Sequence, residues 1–349
     1  DLEPVHRRRP RYRGTHPRRF EEKYKELAPE IYPELVAHVL ARRKTPAGQH
    51  VPILVDEALA ALEPRPGERG VDATLGWGGH AQRLLETLSP GGTLLALDAD
   101  PVELPRTESR LRQLGFGGVT LLVRRTNFAG LRAALDAVGW RDGADFILAD
   151  LGVSSMQIDD PARGFSIKLD GPLDMRMNPN RGLSAAQWLE RASIAALTLA
   201  LHDDADEPRA RLIAEALVAR RGRLTTTHAL AAAVRDALVG RARADDTERS
   251  VRRVFQALRI EVNDELGALD ALLLQLPDCL RPGGRVAVIT FHSGEDRRVK
   301  HAFAQGERDG LYAAVAPEIV RPSAAERRAN PRSSAAKLRW ARRTGSMPA

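Results

Sequence analysis

An alternation that starts near His50 limits the fold more than any other feature of the chain. Short apolar runs are separated by stretches whose apolar residues recur every three or four positions. VPILVDEALAALEP (51–64) has helical spacing at Ile53, Leu54, Ala58 and Leu62, and Pro64 and Pro66 end it. GVDATLGWGGH (70–80) reads as a strand that breaks into a glycine turn. AQRLLETL (81–88), residues 102–114 and FAGLRAALDAVG (128–139) read as helices. TLLALDAD (93–100), VTLLVRR (119–125) and ADFILAD (144–150) read as strands. The first and last of these are apolar nearly throughout, as strands covered on both faces are. Strands alternating with helices imply a doubly wound parallel sheet, an α/β fold.

The alternation then stops. From about Gln157 to Arg252 the pattern offers loop and helix but no strand. Ser184 and Gln187 form a capping box, and Thr226 or Thr227 caps HALAAAVRDAL (228–238). Val251, Phe255, Leu258, Val262, Leu266, Leu269 and Leu273 predict one long helix from about Arg249 to Leu276, closed by Pro277. The α/β signal returns with RPGGR (281–285) and the strand VAVITF (286–291). The 349 residues therefore divide into a basic N-terminal extension (1–48) and a first sheet part (49–156). An inserted helical module (157–252), a second sheet part (253–320) and a basic C-terminal tail (321–349) follow.

Charge is unevenly placed. The formal net charge is +7, yet residues 6–19 alone hold seven Arg and no acid. Residues 321–349 hold seven Arg, one Lys and one Glu, so the rest of the chain is acidic. Basic ends of this kind suit phosphate backbones, or else serve as solubilising tails. No apolar run reaches the length of a membrane span, and the start, DLEPVHRRRPRYRG, has no signal-peptide core. Glu21, Glu22 and Glu26 argue against a transit peptide. The single cysteine, Cys279, excludes an internal disulfide or a Cys-rich zinc site, and the His spacing shows no H-E-x-x-H. The expectation is a cytoplasmic protein with no structural metal and no membrane contact.

Gly76-Trp77-Gly78-Gly79 follows a strand and opens a helix, where free backbone N–H groups can meet a ligand. Asp98 ends the next strand, placed to accept both ribose hydroxyls of an adenosine-type cofactor. Gly76-x-Gly78-x-x-Ala81 also fits the dinucleotide fingerprint, so the turn alone leaves NAD open. Charge separates the two. Asp72 and Asp150 end strands at the same sheet edge, and no Arg or Lys lies between Gly70 and Gln82. Carboxylates there repel a pyrophosphate and favour the cationic S-adenosylmethionine.

A second group of motifs belongs to the same edge. Asp150-Leu-Gly-Val-Ser-Ser155 makes a candidate catalytic loop, and Phe291-His292-Ser293-Gly294-Glu295-Asp296 follows the last strong strand. Asp150 and His292 are the candidate catalytic residues. A turn acid and a hydrogen-bonded turn histidine are the competing readings. Gly171-Pro-Leu-Asp-Met-Arg176 has no chemistry that assigns it a role.

Together these residues resemble the bacterial small-subunit ribosomal RNA cytosine-N4 methyltransferase family, also called MraW or RsmH. The resemblance runs from about His50 to Arg343. It rests on HVPILVDE (50–57), DATLGWGGH (72–80), LDADP (97–101), DLGVSS (150–155), RGFS (163–166) and DGPLDMRM (170–177). FQALRIEVNDEL (255–266), PGGRVAVITFHSGEDRRVK (282–300) and NPRSSAAKLR (330–339) complete it. The resemblance implies a Rossmann-like class I S-adenosylmethionine-dependent methyltransferase sheet with an inserted all-helical domain. It implies cofactor contacts at Gly78, Gly79, His80, Asp98, Phe128, Asp150 and Gln157. The implied partner is small-subunit ribosomal RNA, within an assembling or assembled subunit; a homodimer is one possible assembly. Leu75 stands where the family usually has Phe, Gly294 where it has Leu, and HDDADEPRAR (202–211) is unusually acidic.

Three other functions compete. Methylation at cytosine C5 needs a cysteine nucleophile, and Cys279 reads as a small buried residue. A non-catalytic RNA-binding or assembly factor on the same scaffold would bind RNA without transferring a methyl group. An NAD-dependent Rossmann enzyme would show no saturable binding of S-adenosylmethionine.

Overall fold

The computed structural model describes residues 52–345. The N-terminal extension read as 1–48, with its arginine arm, lies outside the described residues. The first half of the fold runs α1 (Val55–Leu62), β1 (Arg69–Asp72), α2 (Gly79–Leu88), β2 (Thr93–Asp98), α3 (Glu103–Gln113), β3 (Leu121–Arg125), α4 (Leu131–Ala137) and β4 (Ala144–Asp150). Helices α5 (Ser155–Asp159), α6 (Ala185–Arg191), α7 (Ile194–Asp203), α8 (Ala210–Val218), α9 (Thr227–Leu238) and α10 (Ala244–Asn263) follow. The sheet resumes through α11 (Glu265–Cys279), β5 (Leu280–Thr290), α12 (Ser293–Arg308), β6 (Tyr312–Val315), α13 (Ala324–Ala329) and β7 (Lys337–Arg343).

The seven strands are ordered β3-β2-β1-β4-β5-β7-β6. Strands β1 to β5 are parallel, and β7 runs antiparallel to β5 and β6. Alternate side chains feed opposite faces, as the pleat requires. Leu95, Leu97, Ile147, Ala149, Val286 and Val288 bury on one face with α4, α11 and α12. Leu94, Ala96, Phe146, Leu148, Ala287 and Ile289 bury on the other with α1, α2 and α3. The strand order reverses between β1 and β4, and an open α/β sheet binds ligands where its order reverses.

Between α5 and α11 the helices close over a separate apolar cluster, built from Leu189, Leu197, Leu201, Ile213, Leu217, Leu230, Val234, Val254 and Leu258. Both sequence-read caps are present: Ser184 and Gln187 form a reciprocal box, and Thr226 Oγ1 accepts from Ala229 N at 3.2 Å. The motif that resisted assignment is built into the helical cluster. Leu173 and Met175 are buried in the helical cluster, while Pro172 pairs with Thr226 in an isolated bridge. Gly171 packs so close to Pro161 that a Cβ would stand 1.9 Å from its carbonyl oxygen.

Two sequence expectations are corrected. The long helix is two helices: Asp264 turns left-handed (φ 49°) between α10 and α11, and Pro277 lies inside α11. The apolar stripe before the break faces the helical cluster, and Leu269, Leu272, Leu273 and Leu276 after it face the sheet. One straight helix cannot bury both stripes. The second correction concerns the basic tail, whose residues 337–343 form β7 inside the sheet. Leu338 and Ala341 are fully buried, and Arg339 Nε meets Asp296 Oδ1 at 2.7 Å. Lys337, Arg332 and Arg342 face Asp296, Asp159 and Glu63. Lys337 and Arg339 of the tail are thus neutralised inside the fold, and Arg332 and Arg342 are paired nearer its surface.

Candidate active site

Asp72 ends β1 and Asp150 ends β4, on neighbouring strands either side of the order reversal. Thr74 ties them together: its N–H donates to Asp72 Oδ1 at 3.1 Å, and its hydroxyl accepts from Asp150 N at 2.6 Å. Asp72 is 1% exposed. The second oxygen of Asp72 and Oδ1 of Asp150 are buried with no hydrogen-bond partner among the described residues. Burial pushes the Asp72 carboxyl up to about 7, with further repulsion from Asp98. Burial likewise pushes Asp150 up to about 8, aided by the charges of Asp72 and Glu295. A carboxylate buried as completely as Asp72 is costly unless a cation joins it.

The glycine turn reaches this crevice from β1. Its second glycine is fixed by packing. Gly78 is left-handed (φ 73°), and a Cβ on it would meet Thr107 Cγ2 at 2.8 Å. Its missing side chain makes room for α3. Gly79 opens α2, and His80 sits in the first turn, 6% exposed. His80 Nε2 lies 3.7 Å from Asp150 Oδ2, and neither ring nitrogen has a hydrogen bond among the described residues. Burial lowers the His80 pKa to about 4, so the ring is neutral at pH 7.

Asp98 ends β2 with its carboxylate already oriented: Oδ2 accepts from Gly76 N at 2.7 Å and Oδ1 from Asp100 N at 2.8 Å. Phe128 begins a short 3-10 turn beyond β3 and packs, half-buried, against the sheet core. Gln157 is 7% exposed and spent on the protein. Its Oε1 accepts from Ser154 N at 2.9 Å, and its Nε2 donates to Asp100 Oδ2 at 2.7 Å. It holds the loop after Asp150 against the loop after Asp98.

The sequence reading missed three residues here. Asp100 is 1% exposed and receives Arg163 Nη1 at 2.9 Å on the oxygen that also takes Gln157. Arg163 continues to the carbonyls of Arg176 and Met177, at 3.1 and 2.9 Å. Arg110 lies beneath the glycine turn, donating to the Trp77 carbonyl, with burial lowering its pKa to about 10. The absence of a nearby cation in sequence is therefore not an absence in space, because α3 delivers one. LDADP and RGFS did carry the signal for Asp100 and Arg163, though not their pairing.

His292 does not stand as a free imidazole. It caps α12, its Nδ1 accepting from Glu295 N at 3.4 Å, and its Nε2 lies 3.1 Å from Glu295 Oε1. Its Nε2 is buried with no hydrogen bond among the described residues. Glu265, His292 and Glu295 bring ligand-type atoms within 4.8 Å of one another. Arg259 already supplies a cation there, forking onto Glu265 at 2.7 and 2.8 Å. Cys279 is fully buried in the sheet core, its thiol pushed up to about 12 by burial. It offers no thiolate for an attack on a pyrimidine ring.

The acidic stretch 202–211 also has a structural use. Asp206 Oδ2 accepts from Ser293 Oγ at 2.7 Å, and Glu207, 1% exposed, accepts from Ser250 Oγ at 3.1 Å. These bonds tie the helical cluster to α12 and to its own α10.

The unpaired carboxylates give a prediction. Between about pH 6.5 and 8 the folded, donor-free protein holds more protons on Asp72 and Asp150 than the unfolded chain does, so its stability falls as pH rises through that window. Below pH 6.5 the depressed pKa of His80 works the other way. Thermal midpoints should drop by several degrees from pH 6.5 to 8.5. In Asp72→Asn the drop should shrink; an equal drop in that variant refutes the assignment.

The family model described as the MraW methylase family matches residues 47–344. The ribosomal RNA small subunit methyltransferase H 1 of Lachnoclostridium phytofermentans is 47% identical over 345 residues, covering 97% of this chain and 93% of its own. The ribosomal RNA small subunit methyltransferase H 2 of Alkaliphilus metalliredigens is 47% identical over 346 residues, covering 97% and 98%. Their agreement over nearly the whole chain, with the sheet and crevice described above, means that this chain belongs to the MraW methylase family.

Proposed function

We propose that the chain moves a methyl group from S-adenosylmethionine to the exocyclic N4 amine of a cytosine in small-subunit ribosomal RNA. The observation that carries the donor is the pair of orphaned carboxylate oxygens on Asp72 and Asp150 at the switch point. They suit a ligand bearing an ammonium and a sulfonium, and they repel the pyrophosphate of NAD. Asp98 would accept the ribose hydroxyls, Phe128 would flank the base, and Gly78, Gly79 and His80 would line the donor's other end. Gln157 would act through the loop it braces. The bound donor supplies a sulfonium methyl as electrophile.

The names of the relatives support the RNA substrate. A cytosine amine is a weak nucleophile, because its lone pair is delocalised into the ring. Asp150 and the backbone carbonyls of residues 151–155 would accept its hydrogen bonds as it pyramidalises and hold it in line. The amine's surplus proton then leaves toward Asp150. His292 would position this edge by capping α12. The base must leave its stack to arrive, and the helical cluster would frame the opening.

Mass mapping of methylated nucleosides in small-subunit RNA, after incubation with labelled donor, tests the proposal. One labelled N4-methylcytidine is expected. RNA binding without label would mean a non-catalytic assembly factor, and label at C5 would mean a different chemistry. Asp98→Ala should weaken donor binding by roughly 30-fold or more, since each hydrogen bond to a charged group is worth about 1.5–3 kcal/mol. Unchanged calorimetric affinity refutes the ribose role.

A further inference from the structure

We infer that the turn between α8 and α9, with the end of α6 and the loop at Lys168, forms the face that grips the RNA phosphate backbone. The inference rests on the RNA reading above and names the surface that reading needs. Its starting point is a contrast in how arginines are used. Around the sheet, Arg259, Arg281, Arg285 and Arg339 each fork onto or cap a carboxylate. In the turn after α8, Arg221 and Arg223 are exposed and face no carboxylate within ion-pair distance among the described residues, and neither do Arg191 or Lys168. Arg220 alone has one, Asp236 at 3.6 Å.

The turn is also held in place. Gly222 takes a left-handed conformation (φ 75°), and its N–H donates to Glu190 Oε2 at 3.0 Å. Arg221 Nε donates to the Leu189 carbonyl at 3.3 Å, which docks the turn on the end of α6, beside Arg191. Leu224 anchors it, 6% exposed. Leu173 N donates to Thr225 O at 2.9 Å, and Thr227 Oγ1 donates to Leu169 O at 2.9 Å, which ties the segment that carries Lys168 to the start of α9. These bonds gather the cations from three segments onto a pre-formed surface, so little ordering cost opposes phosphate binding. The same segments run back through Arg163 to Asp100 at the crevice. Guanidinium groups without carboxylate partners, on an anchored turn, suit a polyanion whose charges repeat along a strand, and they carry no base information. Arg339 and Arg342 do not do this, because β7 holds them against Asp296 and Glu63.

The test uses the full chain, with Arg191→Gln, Arg221→Gln and Arg223→Gln combined, and a transcript of small-subunit ribosomal RNA as probe. A control triple neutralises Arg141, Lys300 and Arg328, which are also exposed and have no carboxylate partner within ion-pair distance among the described residues. Binding is measured across a salt series. Each phosphate no longer neutralised should flatten the slope of log affinity against log salt by roughly 0.7 to 0.9, so the first triple should lose about 2 to 3 units of slope and the control none. Donor affinity by calorimetry should not move. A second variant, Arg191→Gln with Arg223→Gln, leaves the Arg221 bond intact and guards against a fold defect; it should lose about two thirds of that slope. An unaltered slope in both variants, or an equal loss in the control, overturns the inference while leaving the methyltransferase reading standing. Absence of both RNA binding and methyl transfer in the unsubstituted protein overturns the two together.

Discussion

Asp150→Asn is expected to lower the rate of methyl transfer by about 10²–10³-fold, the usual cost of losing one pre-oriented polar group at the reacting centre. Asparagine keeps the shape and one acceptor oxygen. It removes the charge that receives the amine's proton and turns an N–H group toward a partner that must itself donate. The same change should make the donor-free protein more stable, because a carboxyl held up near 8 by burial is replaced by a neutral group. A variant that melts higher and turns over slower cannot be explained by misfolding. Single-turnover transfer from labelled donor to small-subunit RNA, beside calorimetric donor binding, separates chemistry from affinity. A rate within threefold of the unsubstituted protein would remove Asp150 from the reaction.

The largest stability effect should come from Arg163→Ala. Its guanidinium joins Asp100, itself 1% exposed, to the carbonyls of Arg176 and Met177. Removing one partner of a buried pair costs about 3–5 kcal/mol, because the other charge stays buried. At roughly 2–4 °C per kcal/mol for a chain of this class, the midpoint should fall by on the order of 10 °C. Asp100→Asn combined with Arg163→Met should recover much of the loss, since both charges leave together. Equal melting of Arg163→Ala and the unsubstituted protein would mean that the pair does not hold the loops. Donor affinity should fall as well, because Asp100 also anchors Gln157 and thus the loop after Asp150.

The first effect traces to the sheet order. The sheet order brings the ends of β1 and β4 side by side, although Asp72 and Asp150 are far apart in the chain. Two carboxylates meet there with oxygens unpaired, a costly arrangement that a cationic donor would relieve. Stability given up at a crevice in exchange for ligand affinity is a common bargain in binding sites.

Much of this was legible in the residues alone. The alternation from His50, the glycine turn and the acids at strand ends are local patterns, and a strand or helix is set largely by the period of its own apolar residues. That is why the parallel sheet, the helical interruption and both caps could be read directly. Long-range pairing has no such period. KLRWARR (337–343) reads as a charged tail because charge counting ignores partners; only antiparallel pairing with β5 and the carboxylate of Asp296 reveal a buried strand. The single long helix failed for a related reason, since its apolar spacing runs unbroken through Asp264 while the surfaces it faces change. Arg110, Arg163 and Asp100 were likewise decided in three dimensions, where burial makes each polar group find a partner from another segment. Local sequence determined which elements form and which ends carry acid. Tertiary structure decided which of those ends meet, which charges are cancelled and which arginines are left facing outward.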